Sequence, residues 1–301
     1  MKLYYYQSDE VKNFGDDLNE WLWQRLLPDF FDQDDETLFV GIGTLLNDYL
    51  PSEGKKIVFG SGVGYGNGIP LVKNPDDWNF YCVRGPLSAL KLGLPQETAV
   101  TDAAMLLKNV YQAPLSKKRY QFSYMPHAYF SWKAGNSWRK ICKSLGFGFI
   151  DARDSIETVL AAMGETEVLL TEAMHGAIIA DTLRIPWIPI RSASIISSFK
   201  WLDWCMSLGI DYQPYQVTLP WDPDHLAKIP VNRMRRILAR HELQYAARHG
   251  TPQLSHDAIF QQKTDALQSR LLQLKQDYAS LQDRSWNQRK AMEPEKHLTL
   301  L

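Results

Sequence analysis

Cysteine is scarce in this 301-residue chain, and the three present (Cys82, Cys142, Cys205) form no Cys-x-x-Cys pair. That excludes a disulfide framework and a thiolate zinc knuckle. No stretch reaches the roughly 18 apolar residues that a membrane span needs, and Met1 to Tyr6 lacks a basic region followed by a long apolar run. The expected setting is therefore the reducing cytoplasm. Phosphate-loop signatures are missing too. Gly60, Gly62, Gly64, Gly66 and Gly68 follow a strand-like run, but no register among them completes Gly-x-Gly-x-x-Gly, and Asn67-Gly68-Ile69-Pro70 reads as a turn. There is no Gly-x-x-x-x-Gly-Lys-Ser/Thr, no Gly-x-Ser-x-Gly elbow and no nucleophilic cysteine motif. Asp32-Gln33-Asp34 and Asp222-Pro223-Asp224 match Asp-x-Asp, but both lie in acidic or proline-broken loops, and no metal is expected.

What is present is an ordinary globular composition, 45% hydrophobic and 22% charged, with a net charge of −1 that hides a separation. Met1 to Gly60 carries twelve acids against five bases, whereas Lys228 to Gly250 carries six Lys and Arg against Glu242 alone. The basic strip suits either the acidic first domain or an anionic membrane surface, at the inner face of which the protein would then work. It lacks any nucleic-acid module, so nucleic acid is not an expected partner.

Short apolar runs alternate with helix-like segments, the pattern of an α/β protein. Lys2 to Tyr6, Leu38 to Val40, Lys56 to Phe59 and Phe80 to Val83 read as strands. Between the first two, Asp17 to Leu27 has helical spacing, with Asp16 or Asp17 as its cap. After the polar joint Ala113-Pro114-Leu115-Ser116 the pattern restarts: Tyr120 to Met125, Phe147 to Asp151, Val168 to Thr171 and Trp187 to Ile190 read as strands, with Ile156 to Met163 and Met174 to Leu183 as helices. The expected domains are 1–114 and 115–222, two α/β halves facing a cleft at the carboxyl ends of their strands, followed by a helical tail over 223–301. In that tail Phe260, Thr264, Leu267, Leu271, Leu274, Tyr278 and Leu281 recur at four and three spacing, which suits packing back on the domains or dimerisation. Glu293 to Leu301 reads as a frayed end.

Candidate site residues follow from position. Asn13-Phe14-Gly15-Asp16-Asp17 joins the first strand to the first helix; one aspartate serves the helix, and the other can orient a hydroxyl or act as a base. In Glu172-Ala173-Met174-His175-Gly176, a strand gives way to a helix whose amino end suits an anion, beside a histidine, the side-chain type suited to proton transfer. His127, after Met125-Pro126, holds the equivalent strand end. The other histidines (His225, His241, His249, His256, His297) fall in the tail and read as surface residues. Arg84 and Arg191 at strand ends are the cations expected in the cleft, with Arg153 and Arg184 as further choices. Gly62 would let a ligand approach the backbone. Of the ten tryptophans most read as core, although Trp132 and Trp138 cluster with Tyr129 and Phe130 after His127, where flat rings could also meet sugar faces.

Six motifs in order, Asn13-Phe14-Gly15-Asp16-Asp17, Gly41-Ile42-Gly43-Thr44-Leu45-Leu46, Val83-Arg84-Gly85-Pro86-Leu87-Ser88, Thr101-Asp102-Ala103-Ala104-Met105-Leu106, Met125-Pro126-His127 and Glu172-Ala173-Met174-His175-Gly176-Ala177, give a resemblance. Over about Met1 to Ala193 the chain resembles the polysaccharide pyruvyl transferase family, in its exopolysaccharide (succinoglycan-type) branch. The resemblance implies two Rossmann-like domains similar to GT-B glycosyltransferases. It also implies a reaction in which phosphoenolpyruvate, as co-substrate and with no cofactor, places a pyruvate ketal on a glycan acceptor that can be lipid-linked. On that basis His175 and Asp16 are the catalytic candidates; Arg84, Arg191, Gly176, His127 and Gly62 the donor-binding ones; Asn13, Asp17 and Glu172 the acceptor-binding ones. The chain departs from many members in one respect: where they carry arginine two positions before the motif histidine, it has Ala173, so the donor anion needs another cation. The alternatives are a GT-B glycosyltransferase using a nucleotide sugar and a non-catalytic glycan-binding assembly protein that oligomerises through its last helix.

Overall fold

The computed structural model describes residues 1–66, 74–113, 117–221 and 229–292, with side chains in the last stretch from residue 230 to 279. The Asn67–Pro70 turn, Pro114 to Ser116, Asp222-Pro223-Asp224, His225, Lys228, the Leu281 side chain, Glu293 to Leu301 and His297 lie outside these residues.

Two all-parallel sheets carry the architecture. The first has order β1-β2-β3-β4, from strands Lys2–Tyr4, Thr37–Val40, Lys55–Phe59 and Trp78–Cys82. The second has order β6-β5-β7-β8-β9: Gly148–Phe149, Tyr120–Met125, Thr166–Thr171, Trp187–Arg191 and Tyr215–Gln216. Parallel pairing requires crossovers, and helices supply them. They are α1 (Phe14–Leu26), α2 (Pro86–Leu92), α3 (Ala128–Leu145), α4 (Ile156–Gly164), α5 (Met174–Thr182) and α6 (Ser198–Ser207). A 3₁₀ helix, Ala103–Asn109, follows the first sheet. The chain is thus a mixed α/β protein with parallel sheets. The central strands read as near-continuous apolar runs because both faces are covered: Leu38, Phe39 and Val40 are buried, as are Leu169 and Leu170.

Helix α1 starts earlier than its apolar spacing predicts, because the cap is Asn13 and neither aspartate. The Asn13 side chain accepts from the Gly15 N–H at 3.1 Å, and Asp16 and Asp17 occupy the first turn, where carboxylates oppose the helix dipole favourably. Helices α3 and α6 and strand β9 are additions to the sequence reading. The core is shared, since one cluster joins Phe14, Phe39 and Phe59 to Met125, Leu169 and Trp187. Trp23, Trp138, Trp187, Trp201 and Trp204 are fully buried, so most of the tryptophans with described burial serve packing.

Two long helices, α7 (Ile229–His249) and α8 (Asp257–Met292), complete the chain. Phe260, Thr264, Leu267, Leu271 and Leu274 of α8 are buried, and Tyr278 stacks on Phe30 with ring centroids 4.3 Å apart. The described part of the heptad-like stripe is therefore taken up by the chain's own core. Helix α7 packs on α3 through Ala239, Leu243 and Ala246, which places the basic strip beside the second sheet rather than against the acidic first segment. No helix among the described residues is long and apolar enough to cross a membrane.

Candidate active site

The loops leaving β1, β2, β5 and β7 meet at the carboxyl ends of the two sheets and enclose a cavity of about 550 Å³. Open parallel sheets place ligands at such strand ends, and the volume fits a small-molecule site. Three helix amino ends reach its wall: Phe14, Gly15 and Asp16 of α1, His127 with Ala128 and Tyr129 of α3, and Ala173 with Met174 and His175 of α5. Ala173, the residue capping α5, makes no side-chain cap hydrogen bond. The combined dipoles favour an anion at this point.

His175 is held closely from behind. Its Nε2 lies 3.7 Å from Oδ2 of the buried Asp102, whose other oxygen accepts from the Ala104 N–H at 2.9 Å and so caps the 3₁₀ helix. Neither His175 Nε2 nor Asp102 Oδ2 has a hydrogen-bond partner. On the other edge of the ring, Gly15 packs against the imidazole, where a Cβ would stand 2.1 Å from Nδ1. Only glycine leaves room for that contact. Asp16 accepts from Asn13 Nδ2 at 2.7 Å, and burial raises its pKa against the opposing pull of His175 and Asn13. His127 caps α3 by accepting from the Tyr129 N–H at 3.3 Å, and burial, aided by the Lys200 charge, pushes its pKa down to about 3. At neutral pH it is an uncharged ring, able to donate or accept a hydrogen bond but not to act as a cation.

The cation that faces the cavity is one the sequence reading did not pick. Lys200, on α6, is the only lysine or arginine among the described lining residues, is 7% exposed, and donates to the Tyr65 hydroxyl. A signal for it existed: a lone lysine inside Phe199-Lys200-Trp201-Leu202-Asp203-Trp204 must either reach water or find a polar partner. Thr44, Tyr65, Tyr129 and Trp132 also line the cavity, the last two about 40% exposed.

Arg84 is placed differently from the expectation of an open anion clamp. It has no exposed surface; its guanidinium donates to Asp203 Oδ2 at 3.0 Å, Thr44 Oγ1 at 2.8 Å and the Val63 carbonyl at 2.7 Å. Asp203 lies on α6 and also accepts from the Ser88 N–H at 2.9 Å, so this buried pair fixes the helix that carries Lys200. Gly62 packs on the same guanidinium, with a Cβ position 2.4 Å from Cζ, and offers no backbone to the cavity. Arg191 donates to the Ala193 carbonyl at 3.3 Å and lies outside the lining. Arg153 is bound to Asp151, and Arg184 to Ser255 and Asp257. Gly176 packs behind the wall, against Met125 and Thr171. Asp17 is half-buried outside the lining, and burial raises its pKa. Glu172 is wholly buried, accepts from the His127 N–H at 3.3 Å, and has its pKa raised to about 7 by burial. It supports the His127 turn from behind and lies outside the cavity lining. Asn13 and Asp16 remain on the wall.

Among the described residues no three His, Cys, Asp or Glu side chains group to hold a metal ion. A cavity at paired strand ends, lined by a histidine, a buried lysine, a carboxylate and exposed rings, has the make-up of an α/β enzyme site. The chain belongs to the polysaccharide pyruvyl transferase family, whose pattern matches residues 4–194. It is accordingly a pyruvyl transferase. It is similar to the succinoglycan biosynthesis protein ExoV of Rhizobium meliloti (strain 1021), at 41% identity over 220 residues, 72% of this chain and 68% of that protein.

Proposed function

We propose that the protein transfers pyruvate from phosphoenolpyruvate to a pair of hydroxyls on an exopolysaccharide sugar, forming a ketal. The observation that carries this reading is Lys200, the one lysine among the described lining residues, set among three helix amino ends in the cavity of a pyruvyl transferase. The likeness to a succinoglycan biosynthesis protein supports an exopolysaccharide as the acceptor. Two Rossmann-like domains in a GT-B-like arrangement, meeting at the cavity, suit a donor on one side and a glycan on the other.

Phosphoenolpyruvate carries about three negative charges. Lys200 takes the place of the family arginine that Ala173 lacks and, with the α5 amino end, neutralises the phosphate or the carboxylate. His175, backed by Asp102, gives a proton to the methylene carbon, which becomes a methyl group. The carbon bearing the phosphate then accepts one sugar hydroxyl, whose proton passes to Asp16. The C–O bond to phosphate breaks with its electron pair leaving on phosphate. The second hydroxyl attacks the resulting cation and its proton departs with phosphate. Each step is acid–base chemistry of side chains, without a resident cofactor. Tyr129 and Trp132 offer faces for the sugar ring. His175→Ala is expected to abolish phosphate release from phosphoenolpyruvate in the presence of acceptor while the melting transition stays in place. Retention of most activity removes His175 from the mechanism.

A further inference from the structure

Five of the six exposed tyrosine, tryptophan and phenylalanine side chains among the described residues line the candidate site: Tyr6, Tyr49, Tyr65, Tyr129 and Trp132. Trp132 also belongs to the wall of a second cavity, of about 430 Å³. The two spaces are neighbours that share one indole. The second is built from helix α3 and from Asp151 and Arg153, in the loop that leaves β6. It therefore opens at the carboxyl end of the same sheet as the candidate site.

Gly135 lines this second cavity from the middle of α3, where glycine is the poorest helix former after proline. The protein's own packing does not demand it: a Cβ there would meet nothing nearer than Arg153 Nη2, at 3.9 Å. Gly15, Gly62 and Gly176, by contrast, each have a neighbour within 2.7 Å of that position. The room left by the missing side chain belongs to the cavity. Its three cations are already engaged. Arg153 donates to both oxygens of Asp151, at 2.9 and 2.7 Å; the Arg139 guanidinium lies over the Phe149 ring, 4.5 Å from its centroid; and the Lys133 ammonium lies over Trp132 at 3.5 Å. What they offer a ligand is N–H donors held in place rather than an unbalanced charge. Such donors beside the indoles of Trp132 and Trp221 suit a ring that has hydroxyls at its edge and C–H groups on its face.

We propose that this cavity is a second sugar subsite, which takes the residue next to the pyruvylated one in an oligosaccharide acceptor. The proposal rests on reading the candidate site as the acceptor site of a pyruvyl transferase. Gly135 and Arg139 lie about 4.5 Å and about 10 Å along α3 from Trp132, the reach of a glycan passing from one ring to the next. The reacting sugar occupies the first cavity, with His175 and Asp16, and Trp132 separates it from its neighbour. Binding energy from the second ring then helps to hold the reacting hydroxyls in place, so the enzyme selects its acceptor by a sugar that it does not modify.

The test compares kcat/KM for phosphate release with two acceptors, the repeating-unit glycan and the methyl glycoside of the sugar that is pyruvylated. The parent protein is expected to prefer the glycan by at least about tenfold. Gly135→Leu improves helix propensity while its side chain grows into the cavity, and is expected to abolish the preference without changing the KM for phosphoenolpyruvate. Arg139→Ala, at a side chain that is 61% exposed, keeps the fold and is expected to reduce the preference by at least about threefold. Calorimetric titration of the glycan without donor gives a second readout, with Kd raised by about tenfold in Gly135→Leu. A parent protein that does not prefer the glycan, or a preference that both variants leave intact, overturns the proposal. So does a raised KM for phosphoenolpyruvate with the preference kept, which makes the cavity an anion site. Absence of phosphate release with either acceptor, alongside glycan binding that Gly135→Leu weakens, supports the subsite and overturns the pyruvyl-transfer reading instead.

Discussion

Lys200→Met keeps the stem of the side chain and removes the one fixed positive charge on the cavity wall among the described residues. The neighbouring His127 cannot replace it, since its pKa lies near 3, far below neutrality. A hydrogen bond to a charged partner is worth about 1.5–3 kcal/mol, which corresponds to roughly a 10–150-fold fall in kcat/KM for phosphoenolpyruvate. Because Lys200 donates to the neutral Tyr65 hydroxyl and to no carboxylate among the described residues, its removal strands no buried charge and the protein loses little stability with it. The assay is continuous phosphate release at varied donor and saturating acceptor, alongside the melting transition of both proteins. Lys200→Arg is expected to recover part of the activity, as the charge is kept but the fork is bulkier. A fall smaller than about threefold, under about 0.7 kcal/mol, with an unchanged donor KM, refutes the placement of the donor anion at Lys200.

Arg84→Gln leaves Asp203 as a buried uncompensated charge, and loss of one partner of such a pair costs about 3–5 kcal/mol. Chemical denaturation is expected to show that loss, and an unchanged unfolding midpoint contradicts the structural role given to the pair. Gly15→Ala forces a Cβ to within 2.1 Å of the His175 ring, so it is expected to cost about 1–3 kcal/mol of stability and, by displacing the imidazole, to lower kcat by roughly a hundredfold; unaltered kcat shows that the imidazole does not work from this position. Glu172 gives a pH signature. Its folded pKa of about 7 lies above the unfolded value near 4.5, so the folded state binds more protons between them. Its stabilising contribution is complete below about pH 4.5 and is lost as pH rises to about 7, by about 3 kcal/mol. His127 acts in the opposite sense, its depressed pKa favouring the fold more as pH rises through the acid range. The difference between the parent chain and Glu172→Gln isolates the carboxyl: parallel stability curves for the two proteins between pH 4.5 and 7 contradict its burial.

Most strands and their parallel pairing were legible, because runs such as Tyr120–Met125 and Val168 to Thr171 are rich in apolar residues and end at proline or a short polar residue. Helices α3 and α6 were not, since their aromatic and polar residues give no clean stripe until the opposing surfaces are known. His175, Asp16 and Asn13 could be picked from local position, being at the joints where strands end and helices begin. Arg84 and Lys200 show where local position fails. Both stand in strand-end or helix-start contexts, and only the Asp203 carboxylate, more than a hundred residues from Arg84 in the chain, decides which cation is buried and which meets the cavity. A pairing at that separation leaves no mark on local spacing. Nor does local spacing pair Asp102 with His175; α5 brings the imidazole to within 3.7 Å of its carboxylate.

Incubation of the purified protein with phosphoenolpyruvate and the repeating-unit glycan of its own exopolysaccharide, followed by mass spectrometry of the glycan and measurement of phosphate, tests the central claim most directly. One pyruvate ketal gained per phosphate released, with both lost in His175→Ala, is the predicted result. An unmodified glycan with no phosphate released, where a nucleotide sugar under the same conditions yields a lengthened glycan and nucleoside diphosphate, contradicts it.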